Sequence, residues 1–189
     1  AFDFAPYTLN GVNWDLSYHV VMEEGDHFMR SYVQMKADDE ENARIDYIDL
    51  DHFVLSDEVE GLWSRPEDFH VADGAWNFLE NEMLLGQPIY ADGMFFGSEF
   101  PAADTNVEND AMQIRYYSGK SLAQLREEGS LNEAGAWQTW PNVIGAAQGT
   151  DTDVVQTDFY AYIDTIATKT DFRVQYNSWY DNMMNITDE

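Results

Sequence analysis

Six residues near the end of the chain, Tyr176-Asn-Ser-Trp-Tyr-Asp181, bring together the two kinds of group that bind sugars. Aromatic faces stack on the C–H surface of a sugar ring, while amides and carboxylates exchange hydrogen bonds with its hydroxyls. The cluster is therefore a candidate for sugar binding. The rival reading of the same cluster is plain packing of a Trp and a Tyr at a junction between two folding units. Cleaving a glycosidic bond would further require two carboxyl groups placed across it. The sequence offers 36 Asp and Glu, but context sets no pair apart, so no catalytic residue is assigned.

Other chemistries find less support. His19, His27, His52 and His70 lack the close spacing of zinc ligands. Asp46-Tyr-Ile-Asp-Leu-Asp-His52 is rich in oxygen donors, yet it has neither the Asp-x-Asp-x-Asp-Gly order nor the closing Glu of a calcium loop. Strand alternation explains that run better. No Gly-rich phosphate loop and no Gly-x-Ser-x-Gly elbow occurs, so dinucleotide-dependent oxidation and serine hydrolysis have no motif behind them. No metal and no cofactor is expected. Cysteine is absent, which removes disulfides, thiolate nucleophiles and thiolate metal ligands together.

Charge narrows the partners. Nine Lys and Arg against 36 Asp and Glu give a net charge of -27, which repels phosphate backbones and anionic headgroups. Nucleic acid and membrane surfaces are thus excluded as expected partners. No apolar run is long enough to span a bilayer, and the first residues lack the basic and apolar regions of a signal peptide. The acids are spread along the chain, as on a strongly hydrated surface suited to saline or extracellular conditions, so a secreted or cell-surface location is expected, with the cytoplasm as the alternative.

The elements that must position these groups come in two kinds. Up to about residue 118 the hydrophobic period is two. His27 to Lys36 sets Met29, Val33 and Met35 against Phe28, Arg30, Tyr32, Gln34 and Lys36, and Glu24-Gly-Asp26 supplies a hairpin turn before it. Arg44 to Leu50 sets Ile48 and Leu50 against Ile45 and Tyr47. Met112, Ile114 and Tyr116 alternate with Gln113, Arg115 and Tyr117, after a turn-like Asn109-Asp110. Gly93 and Gly97 interrupt an apolar run from Ile89 to Phe100, Ser121 to Glu128 has a short helical spacing of Leu122 and Leu125, and Trp137 to Ala147 is extended around Pro141. Short strands with turns between them imply an antiparallel β-sandwich over residues 1–149.

Near Thr150 the period changes. Val154, Val155, Phe159, Tyr162, Ile163 and Ile166 recur at the three-and-four spacing of one helical face, with Asp151 to Asp153 at its start. Phe172 to Tyr176 comes next as a strand, and Thr187-Asp-Glu189 reads as the opening of another helix. Residues 150–189 are therefore expected to be a linker helix and the first strand of a truncated barrel, in a mainly β chain that continues into a larger protein.

Tyr176 to Asp181, preceded by Phe159-Tyr-Ala-Tyr-Ile163, resembles the start of the (β/α)8 barrel of α-galactosidase-like glycoside hydrolases, akin to glycoside hydrolase family 36. Gly86-Gln-Pro-Ile89, Phe95-Phe-Gly-Ser-Glu-Phe-Pro-Ala102 and Ile114-Arg-Tyr-Tyr-Ser-Gly119 are similar to parts of the galactose-mutarotase-like sandwich that precedes that barrel. The resemblance covers about half of the chain. It implies a retaining α-galactosidase or α-N-acetylgalactosaminidase whose nucleophile and acid/base lie on later barrel strands, absent here. It also implies that the partners are a terminal α-linked sugar and the remainder of the catalytic barrel, with Trp179 and Asp181 touching the sugar. Two rivals stand beside it. One is a stand-alone carbohydrate-binding sandwich with Trp63, Trp76, Trp137 or Trp140 as its platform; the other is a mutarotase, which needs a His and a carboxylate on one sheet face.

Overall fold

A computed structural model describes residues 1–54, 86–108, 111–169 and 171. The expected barrel strand and the sugar-binding candidates Trp179 and Asp181 lie outside these residues, as do Trp63, Trp76, His70 and the expected turn at Asn109-Asp110.

The described chain is mainly antiparallel β, arranged as two sheets. Strands β1 (Phe2–Asp3) and β2 (Tyr7–Leu9) both pair with β3 (Val12–Val21), which forms a long hairpin with β4 (Phe28–Ala37). Its turn is the expected one. Gly25 takes φ 94°, a left-handed conformation that only glycine adopts without strain, and the Asp26 carboxylate accepts from the Glu23 amide. The sheet continues through β11 (Asn142–Ala146) to β7 (Met94–Ser98) and β6 (Ile89–Ala91), and β10 (Trp137–Gln138) extends the pairing along β4. Asp92 and Gly93, both at positive φ, close the two-residue β6–β7 hairpin.

The second sheet is β5 (Arg44–Val54), β9 (Ala111–Ser121) and β8 (Asp104–Glu108), in that order. Helix α1 (Leu122–Glu127) leaves β9 directly: Ser121 accepts from the Gln124 amide, and the Gln124 side chain accepts from the Ser121 amide. Its Leu122 and Leu125 are buried, as their spacing implied.

Strand alternation gives the first sheet two apolar faces. Trp14 and Met35 turn inward to meet Ile45, Leu122 and Leu125, and Phe96 and Ile89 meet Met112 and Ile114. The opposite face carries Phe28, Phe95 and Val143, on which α2 (Thr152–Ile166) lays Val155 and Tyr162. The helix expected to open the second segment is thus seated on the sandwich sheet itself, with Phe159 and Ile163 partly buried there and Ile166 exposed. Gly145 makes room for this layer, because a Cβ on it would lie 1.9 Å from the Phe95 ring.

One strand departs from simple alternation. In β5 the register slips between Ile45 and Tyr47 and again between Asp49 and Asp51. At the first slip the extra residue lies in β9, between Tyr117 and Lys120, and at the second it is Leu50 of β5; the inward–outward phase of the pair changes across each. Ile45 and Ile48, expected on opposite faces, therefore pack into the same cluster, while Tyr47 points outward.

Candidate functional site

The two register slips along β5 scatter its acids. Asp46 pairs with Arg44 at 2.7 Å, Asp49 meets β9 on the outer face, Asp51 turns into the core, and His52 is exposed. They do not converge on one point, and among the described residues no group of three or more His, Asp or Glu could hold a metal ion.

The other histidines are dispersed. His19 stacks on Tyr32 at 4.7 Å with its Nε2 2.9 Å from Ser17 Oγ, while the His27 ring nitrogen lies 3.2 Å from the Asp158 carbonyl of α2. Of the tryptophans weighed as sugar platforms, Trp137 is a core residue and Trp140 is 50% exposed, tilted against Phe100.

A different cluster forms on the outer face of the second sheet. Tyr47 on β5 and Tyr117 on β9 lie opposite one another, rings 6.1 Å apart and each about half exposed. The Arg115 guanidinium sits 3.9 Å from the centre of the Tyr47 ring and 5.9 Å from that of Tyr117, a cation–π arrangement with both. Arg115 forks onto Asp49, with Nε donating at 2.6 Å and Nη2 at 3.0 Å. The Gln113 amide donates to the same carboxylate at 2.6 Å, and the Tyr117 hydroxyl donates to Asp104 at 3.1 Å. The bonds to Asp49 and Tyr117 raise the already high pKa of Arg115, so the cation is permanent.

Each member has a structural reason to be there. Gln113, Arg115 and Tyr117 share one face of β9 by alternation, and the antiparallel register sets Tyr47 opposite Tyr117 and Asp49 opposite Arg115. The ion pair fixes the guanidinium plane, and the guanidinium in turn holds the Tyr47 ring. The result is an aromatic surface whose polar groups are positioned in advance, with the half-exposed rings of Tyr47 and Tyr117 open to a ligand.

Tyr47 also borders a groove of about 370 Å³ between the edges of the two sheets, walled by Phe4, Tyr7, Leu9, Trp14 and Arg44. Phe4, Tyr7 and Leu9 are exposed along it, and the Trp14 indole N–H in its wall is buried without an acceptor among the described residues. Groove and outer face form a continuous aromatic region around Tyr47.

Reading the sequence alone put Gln113, Arg115 and Tyr117 on one face of a strand but assigned them no role. What it lacked was the partner strand. Asp49 and Arg115 are 66 residues apart, and only sheet register joins them.

Comparison of the chain with protein-family models, with curated proteins and with solved structures returned no match in any of the three.

Proposed function

We propose that the chain is the N-terminal, non-catalytic part of a carbohydrate-active enzyme of retaining α-galactosidase or α-N-acetylgalactosaminidase type, and that the face around Tyr47 and Tyr117 holds sugar. The supporting observation is the pair of half-exposed tyrosines flanking an Arg115 that Asp49 locks in place. A sugar ring laid on Tyr47 would meet aromatic carbon beneath it and fixed donors and acceptors at its edge. In the intact enzyme Trp179 and Asp181 would contact the sugar at the catalytic barrel, which would supply the nucleophile and the acid/base. The chain by itself would then bind sugar without cleaving it.

NMR titration of the 189-residue chain with galactose-terminated oligosaccharides tests the binding half. Resonances of Tyr47, Tyr117 and Arg115 should shift together, and Tyr47→Ala should weaken binding about tenfold, equivalent to roughly 1.4 kcal/mol. Unperturbed resonances at millimolar sugar would remove the reading.

A stand-alone carbohydrate-binding module is the second reading, favoured by the exposed Trp140. In that case Trp140→Ala, and not Tyr47→Ala, should abolish the titration.

A further inference from the structure

The sandwich interior contains a carboxyl group that none of the chemistry above uses. Asp51, 2% exposed, lies between the two sheets, and among the described residues its one hydrogen bond comes from Asn142 Nδ2 at 2.9 Å. The Asn142 carbonyl oxygen is buried beside it with no donor among the described residues, and so is the hydroxyl of Ser31, which faces Asn142 in the β4–β11 register.

An ionised Asp51 fits this place poorly. A carboxylate can accept about four hydrogen bonds, and it would receive one while the dipole of an unpartnered carbonyl stood next to it. A neutral acid resolves both faults. Its O–H donates to the Asn142 carbonyl while the Asn142 N–H₂ donates to the other carboxyl oxygen, which closes a two-bond acid–amide ring. No further atom is needed.

We propose that Asp51 is held as the neutral acid, paired with Asn142 to tie β5 to β11 across the sandwich, and that loss of this proton loosens the contact between the sheets.

The surroundings leave the proton to this residue. The inner faces packed about it present Met112, Ile114 and Tyr116 from β9, Thr105 from β8, Met29 and Val33 from β4, and Phe96 from β7. Tyr116 is the other titratable side chain among them, and burial raises its pKa so that it stays neutral. Asp49 and Arg115 bond to each other on the outer face, and His52 is exposed.

Burial pushes the Asp51 carboxyl up to about 6, with the Asn142 bond acting in the opposite direction. The folded chain therefore keeps this proton where the unfolded chain has lost it. The contribution to stability is complete below the ordinary value of 3.8, falls as pH rises to about 6, and is flat above. Between about pH 5 and pH 8 it changes the unfolding equilibrium about tenfold, with the folded state favoured in acid.

Two measurements on the 189-residue chain test the proposal. Carbon-13 NMR of the Asp51 carboxyl should show a midpoint well above the usual carboxylate range. Denaturant unfolding of the wild type and Asp51→Asn should show the variant, a mimic of the neutral acid, lacking about a tenfold change in the unfolding equilibrium over the same interval. Comparing the two chains cancels the contribution of the other acids. A midpoint in or below the ordinary range, or equal pH dependence in the two chains, would overturn it. If Asp51→Asn does not fold, the carboxyl titration decides alone. Neither measurement involves sugar, so the outcome is independent of the binding reading.

Discussion

Two of the guanidinium forks onto carboxylates, Arg30–Glu99 and Arg115–Asp49, stand in settings that give them different work. Arg30 donates to Glu99 through Nε at 2.5 Å and Nη2 at 2.7 Å, and the hydroxyl of the fully buried Tyr162 donates to the same carboxylate at 2.9 Å. This network lies under α2 and joins the helix to β4 and the end of β7. Burial, and then Glu99, raise the pKa of the Tyr162 hydroxyl, which keeps it a donor. The Arg115–Asp49 fork lies on the outer face of the second sheet, partly covered by two half-exposed tyrosines. Both forks are partly buried; what differs is the neighbour, a packed helix at Glu99 and an exposed pair of tyrosines at Asp49.

Removing α2 should show the largest contrast. A chain ending at Gly149 strips Val155, Phe159, Tyr162 and Ile163 from Phe28, Phe95 and Val143. At about 1.5–3 kcal/mol for each well-buried apolar side chain, the loss is on the order of 5–10 kcal/mol, comparable to the stability of a whole domain. The shortened chain should lose cooperative thermal unfolding, whereas one ending at Lys169 should keep it. A sharp, native-like melt of the Gly149 chain would show that the helix is an accessory.

Glu99→Ala comes next. It leaves the Tyr162 hydroxyl buried without a partner and Arg30 to re-solvate, with an expected cost of about 2–3 kcal/mol by denaturant titration. Tyr162→Phe should cost less, about 1 kcal/mol, because no charge is stranded. If the two variants were equally destabilised, the carboxylate would not be the centre of the latch.

Asp49→Ala on the open face should move stability by at most about 1 kcal/mol. Its effect should appear in binding, because a freed Arg115 no longer orders Tyr47. Weakened sugar titration with nearly unchanged stability sharpens the comparison, and the reverse pattern breaks it. At the small end, Glu40→Ala removes the exposed Arg126 pair and should leave the melting temperature where it was.

Local features of this fold were legible from the residues. The Gly25 hairpin, the alternation of β9, the capped helix at Ser121 and the amphipathic face of α2 are all set by neighbours a few positions apart. The phase of β5 was not legible, because Ile45-Asp-Tyr-Ile-Asp-Leu-Asp51 fits unbroken alternation as well as it fits two shifts of register. Those shifts are decided by pairing with a distant strand. The site around Tyr47 depended on the same pairing, so its members were visible singly and not as a group. Trp179 and Asp181, by contrast, lie beyond the described residues, and their assignment rests on the sequence.

The bulge at Leu50 of β5 bears on how such a chain can evolve. Asp49 and Asp51 face opposite ways only because the register slips once between them. Deleting Leu50 would restore alternation with Asp49 still opposite Arg115 on the outer face and Asp51 still opposite Ile114 inside, so neither carboxylate would change sides. Related sequences could thus lose or gain the bulge through a one-codon deletion or insertion while keeping the buried acid, a change that substitution-based comparison would record as a gap.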